Sequence, residues 1–141
     1  MTSKLHLRFV GAVDARLRAE LLVLGWWLRR HYEFRATFLL RFVHARRLID
    51  FDGTKCAARW WQSSRRGEPF TAEIAVASFA GNLRREGDSV AYPTVVAAAG
   101  RMLKHYFDSA RDVESSQRSV DAWGDRLLDA YCDDKKRPPA P

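Results

Sequence analysis

Arg101, Lys104, His105 and Asp108 fall at i, i+3, i+4 and i+7 within the stretch GRMLKHYFD. On a helix that spacing stacks all four on one face. An imidazole and a carboxylate so placed could supply half of a metal site, with Glu114 or Asp112 nearby to complete it. The guanidinium and ammonium groups beside them could instead hold an anion. The same pattern also describes the polar stripe of an ordinary amphipathic helix, with Met102, Leu103, Tyr106 and Phe107 packing to either side.

Other reactive residues are scattered. His6, His31 and His44 stand apart from one another, and Cys56 and Cys132 belong to no C-x-x-C pair. Two such cysteines make no disulfide framework, and with no histidine placed beside either they read as packing residues. No glycine-rich phosphate loop and no G-x-S-x-G elbow occurs.

Arginine and aromatic residues interleave in WWLRRHYEFR (26–35), HARR (44–47) and RWWQSSRR (59–66). Guanidinium groups neutralise phosphates and aromatic rings stack on unpaired bases, so Arg46, Arg47, Arg59, Arg65 and Arg66 are candidate contacts to nucleic acid or another anion. A half-buried strand produces the same alternation when its aromatics face the core and its arginines face water. The chain carries 24 Lys and Arg against 17 Asp and Glu, a formal charge of +7. That balance favours polyanions or acidic protein partners without placing any patch.

The 141 residues, 47% hydrophobic and 29% charged, have the size and composition of one folded domain. We expect that domain over residues 1–132. The closing DDKKRPPAP (133–141) reads as a disordered tail that is charged and rich in proline. No stretch is apolar enough to span a bilayer and no signal peptide is apparent, so no membrane contact and a cytoplasmic location are expected.

Leu17, Leu21, Leu24 and Leu28 repeat at helical spacing and predict a helix over about 10–30. Leu5, Leu7 and Phe9 alternate and suggest a short leading strand. Phe34, Ala36, Phe38, Leu40 and Phe42 predict a second strand, half-buried. Asp52-Gly53 marks a hairpin turn between extended segments. Phe70 to Ser78 reads as another strand, with Glu73 on its polar side, and FAGNLRREG as a short helix stopped by Gly87. A long helix is expected from 91 or 93 to 110, with Pro93 in its first turn. A last helix over 115–131 would start at a serine cap. The order predicts an α+β layer fold with a small antiparallel or mixed sheet.

Three segments, EIAVASFAGNLRREG, VVAAAGRMLKHYFD and SSQRSVDAWGDRLLDAY, carry a resemblance to small bacterial zincin-like proteins related to the SprT-like and ImmA/IrrE-like metallopeptidases. The resemblance covers roughly 34–131. It implies an N-terminal helix, a three- to four-stranded sheet, a helix bearing H-E-x-x-H and a C-terminal helix bearing an acidic third ligand. The motif itself is broken here. RMLKH puts Arg101 at the first ligand position and Met102 at the position of the general base, leaving His105 alone. Gln117 falls near the third ligand. A fixed guanidinium repels a dication, and a thioether cannot take a proton. The resemblance therefore implies a pseudoenzyme with no cofactor, zinc being the one conceivable metal. Its degenerate cleft would comprise Arg101, Met102, Lys104, His105, Asp108 and Gln117 and would bind a protein or an anionic partner. Two alternatives stand beside it: a nucleic-acid-binding protein, and a metal-dependent hydrolase rebuilt on His105, Asp108 and Glu114.

Overall fold

A computed structural model describes residues 3–62 and 68–141. Ten elements follow in order: β1 (Leu5–Val10), α1 (Ala15–His31), β2 (Phe38–Val43), β3 (Leu48–Ile49), β4 (Lys55–Cys56), β5 (Ala58–Gln62), β6 (Phe70–Ala75), α2 (Phe79–Glu86), α3 (Asp88–Ala110) and α4 (Gln117–Cys132). The fold is α+β. One sheet has the order β1-β2-β6-β5, and β3 and β4 form a separate small ribbon.

The sheet is mixed. β1 pairs with β2 and β2 with β6 in parallel, while β5 closes one edge antiparallel to β6. The registers align Leu5 with Phe38, Leu7 with Leu40, and Phe38 and Phe42 with Phe70 and Ile74. Because side chains alternate along a strand, these residues share one face. All of them are buried. Tyr106 of α3 lies on this face, stacked on Phe38 and edge-on to Phe70. Gly25 of α1 faces Leu7 closely.

Local chemistry sets the element ends. The Asp14 carboxylate caps α1 by accepting from the backbone N–H groups of Arg16 and Leu17 at 2.9 and 3.3 Å. The helix therefore begins at Ala15 and not near Val10, after Gly11 has turned the chain with φ +81°. Leu17, Leu21, Leu24 and Leu28 are buried as the spacing predicts. Ser116 caps α4 through the Ser119 N–H, so that helix starts at Gln117.

Several expected boundaries shift. β2 starts at Phe38, because Ala36 is held off the ladder by Tyr106, whose hydroxyl donates to its carbonyl at 2.6 Å and accepts from its N–H at 3.2 Å. β6 ends at Ala75, three residues short of Ser78. α3 begins at Asp88, so Pro93 lies inside it and not in its first turn. A proline there removes the one hydrogen bond that its N–H would have donated to the Ser89 carbonyl.

β6 departs most from its alternating pattern. Thr71 and Glu73, on its polar side, are also buried. Arg41 of β2 and Arg59 of β5 flank Glu73 and reach its carboxylate at 2.8 and 2.7 Å. The β3–β4 hairpin brings Phe51 edge-on to Trp61, with the Arg59 guanidinium 5.8 and 5.4 Å from the two ring centres.

The end of the chain, expected to be disordered, is tied to the body. The carbonyl of Pro139 accepts from the Tyr32 hydroxyl at 2.8 Å, and that of Ala140 accepts from Trp123 Nε1 at 2.7 Å. Trp123 is buried and its N–H needs a partner. The tail supplies it.

Candidate functional site

α3 crosses the sheet beside the edge strand β5, and His105 sits where the two meet. Trp60 of β5 points toward α3 because Arg59 and Trp61 point to the opposite face. Its indole stacks on Phe70 at 5.2 Å and on the His105 imidazole at 4.9 Å. The hydroxyl of Ser109, one turn further along α3, donates to Gln62 Oε1 on the same strand.

The Trp60–His105 stack stands between two recesses. One, of about 380 Å³, is lined by Arg101, Met102, His105, Gln117 and Val120 from the helices and by Asp50 and the start of β5. The other, of about 410 Å³, has Ser109, Asp112, Glu114 and Ser115 on its far side. Both therefore share Trp60 and His105.

His105 Nδ1 is buried and has no hydrogen-bond partner among the described residues. Burial holds the imidazole below the usual histidine value and outweighs the charges of Asp108 and Asp121, which pull the other way. The ring is therefore neutral near neutral pH.

Arg101 is placed by helix packing. α3 and α4 approach so closely at Gly100 and Gly124 that a Cβ on Gly124 would lie 2.9 Å from Arg101 Cγ and 3.1 Å from the Ala97 carbonyl. The arginine stem thus lies across a bare stretch of α4. Its Nε is 4.0 Å from Asp121 Oδ1, and the Gln117 amide donates to the same oxygen at 2.8 Å. Asp121 thus anchors Gln117 and stands at the edge of ion-pair range from Arg101, a role the sequence pattern did not single out. The i, i+4 spacing of Gln117 and Asp121 was the available signal.

The expected polar stripe splits. Arg101, Met102, His105 and Gln117 come together in one recess. Lys104 and Asp108 do not join them. Asp108 is buried and accepts from Lys104 Nζ at 2.9 Å, the Ser115 hydroxyl at 2.9 Å and Arg111 at 3.4 Å. That network ties the end of α3 to the loop leading into α4. Asp108 is thus neither a solvated residue nor a free ligand for His105. Asp112 and Glu114 face His105 across the second recess. Among the described residues no group of three His, Cys, Asp or Glu side chains is arranged to hold a metal ion.

The candidate anion contacts also separate. Arg59 is engaged by Glu73, and it donates to the Ile49 carbonyl as well. It is not available as the free contact its sequence neighbours suggested. Arg65 and Arg66 lie outside the described residues. Arg46 and Arg47 are exposed and line a different recess, away from His105. Cys56 and Cys132 are free thiols, the second exposed rather than packed. Among the described residues no helix is long and apolar enough to cross a membrane.

No family model, curated protein or solved structure matches this chain.

Proposed function

We propose that this protein is a metal-free binding domain whose cleft, between β5 and the Arg101–His105 turn of α3, takes an extended acidic segment of another protein. The observation that carries this reading is the buried, unpartnered Nδ1 of His105 in a wall that also presents Arg101. A ligand carboxylate would pair with Arg101, and a ligand donor would reach Nδ1 once the ring turns to expose it, since the atom is closed to solvent in this structure.

The edge strand supplies the remaining recognition. The Ala75 N–H donates to the Ala57 carbonyl at 2.8 Å. By antiparallel alternation the Arg59–Glu73 and Trp61–Thr71 pairs are then the hydrogen-bonded ones. The main-chain groups of Trp60 and Gln62 point away from β6, on the side where no further strand pairs among the described residues, while the Ala58 N–H faces the Cys56 sulfur. An extended peptide can pair with such an edge while alternate side chains enter the flanking recesses.

The donor set does not fit a zinc ion. His105 is the single imidazole of the cleft. Arg101 adds a fixed positive charge one turn away, and Asp108 is occupied by three donors. Met102 cannot act as a base. The likeness to zincin-like metallopeptidases thus supports an ancestry for the cleft and not a peptidase reaction.

A direct test selects binders from displayed extended peptides and measures metal content on the same preparation. Acidic peptides are expected to be enriched. Their binding is expected to weaken in Arg101→Glu and to be lost when alternate peptide nitrogens are methylated. Stoichiometric zinc that disappears in His105→Ala, or binders indifferent to Arg101→Glu, overturns the reading. Arg101→His combined with Met102→Glu tests the ancestry separately, by whether the scaffold gains zinc affinity.

A further inference from the structure

The parallel strands β2 and β6 end side by side, and the chain after each is held in register. Val76 N–H donates to the Val43 carbonyl at 2.9 Å and Ala77 N–H to the Ala45 carbonyl at 3.1 Å. This continued ladder brings the segment after β2, with Arg46 and Arg47, beside α2, which follows β6 directly. One face of α2 carries Ser78, Gly81 and Arg85, with Arg84 adjacent. Together these residues line a recess of about 580 Å³.

Its charge is one-sided. Arg46, Arg47, Arg84 and Arg85 are all exposed. None of these four forms an ion pair among the described residues, and no carboxylate of those residues lines the recess. By contrast Arg41, Arg59 and Arg111 are each spent on a buried carboxylate. Converging guanidinium groups repel one another, at a cost that an anion removes. Gly81 contributes room: a Cβ there would meet Arg85 Nη1 at 3.1 Å, so the bare backbone lets that guanidinium lie across the helix. No aromatic ring lines the recess, so it has nothing on which to stack a base.

We propose that this recess binds a di- or triphosphate group. Adjacent phosphates present several anionic oxygens in a small volume, and planar guanidinium forks match them two oxygens at a time. The site is separate from the His105 cleft, and either can exist without the other.

Calorimetric titration with inorganic pyrophosphate tests it on the full chain, at low and at moderate salt. Binding is expected in the unmodified protein, weakening with salt. Arg46→Glu with Arg47→Glu, and separately Arg84→Glu with Arg85→Glu, should each weaken it about tenfold or more. The corresponding glutamine pairs, which perturb folding less, should weaken it in the same direction. Arg118→Glu with Arg126→Glu on α4 should leave it unchanged. A single-stranded oligonucleotide that displaces the pyrophosphate identifies nucleic acid as the source of the phosphates. An oligonucleotide that fails to displace it points to a small polyphosphate. Absence of pyrophosphate binding, or binding that survives both arginine pairs, overturns the proposal.

Discussion

The Trp60 indole lies over the His105 imidazole, with ring centroids 4.9 Å apart and planes tilted by 27°. This contact joins the edge strand to the long helix and divides the space between them. It also takes one face of the imidazole out of water. A histidine in that position behaves less as a base for solvent protons than as part of a wall.

The first prediction concerns pH. Burial lowers the folded-state value of His105 beneath its ordinary 6.5. The unfolded chain then binds a proton that the folded chain refuses. His105 therefore contributes stability that is fully present above about pH 6.5 and is lost as pH falls toward the folded value. Urea midpoints should drop over that acid range. The drop should shrink in His105→Gln. In Trp60→Ala, water reaches the ring and its NMR titration midpoint should move up toward 6.5. A midpoint unaffected by the loss of Trp60 would show that the indole does not desolvate the imidazole.

A second prediction follows from Asp108. It holds Lys104 at 2.9 Å, and that side chain is itself only 12% exposed. Asp108→Ala leaves the charge buried without its partner, which costs about 3 kcal/mol. Lys104→Met with Asp108→Leu removes both charges and should cost less than the single alanine change. Chemical denaturation of the two variants decides the order. Equal losses would mean that packing, and not charge, dominates this corner.

How far the sequence carried these features depended on how local their causes are. The stripe from Leu17 to Leu28 faces the core as its spacing requires. The Asp52-Gly53 turn occurs with Gly53 at φ +86°, in the left-handed region that glycine tolerates. Asp108 and Glu73 stand on polar faces as the periods predict, yet both are buried. Period alone cannot reveal that partners from other elements, Ser115 in one case and Arg41 and Arg59 in the other, fold over them. Trp60 and Trp61 are neighbours in the sequence, and only the position of α3 makes the first of them part of the cleft. The pairing of Arg46 and Arg47 with Arg84 and Arg85 was equally hidden, because it depends on the parallel alignment of β2 with β6.

A third prediction separates the members of the Glu73 cluster. The carboxylate is shared by Arg41 and Arg59 at 2.8 and 2.7 Å. Glu73→Ala strands two guanidinium groups against the sheet and should cost about 3 kcal/mol. Arg59→Ala leaves Arg41 in place and should cost about 1 kcal/mol, the worth of an ordinary hydrogen bond. If removing Arg59 proves as harmful as removing Glu73, its contacts with Phe51 and Trp61 matter more than its charge.

A fourth prediction addresses the end of the chain. Truncation after Asp134 deletes the acceptors used by Tyr32 and Trp123. The buried indole N–H then has no partner, and about 1–3 kcal/mol of stability should be lost. Trp123→Phe, which needs no acceptor, should make the protein less sensitive to the truncation. A thermal scan of the four combinations reads the coupling directly. Additive losses would mean that the tail does not act through Trp123.

The last prediction connects packing to the cleft. Gly124 lets α3 and α4 approach until Arg101 Cγ would sit 2.9 Å from an added Cβ. Side chains can rotate away, but the Ala97 carbonyl at 3.1 Å belongs to the helix and cannot. Gly124→Ala must therefore push the helices apart, at a cost of about 1–3 kcal/mol. Helix propensity favours alanine by about 1 kcal/mol and offsets part of that. The larger effect should fall on Arg101, whose stem loses its bed on α4 and whose guanidinium moves relative to Asp121. Acidic-peptide binding should then weaken in Gly124→Ala by more than the stability loss accounts for. The comparison to make is Gly100→Ala, where the added Cβ would meet the Leu127 side chain at 3.0 Å and the Gly124 backbone at 3.1 Å, so that it separates the same two helices from the α3 side. If both variants weaken binding equally, helix separation alone controls the cleft, and the placement of Arg101 does not.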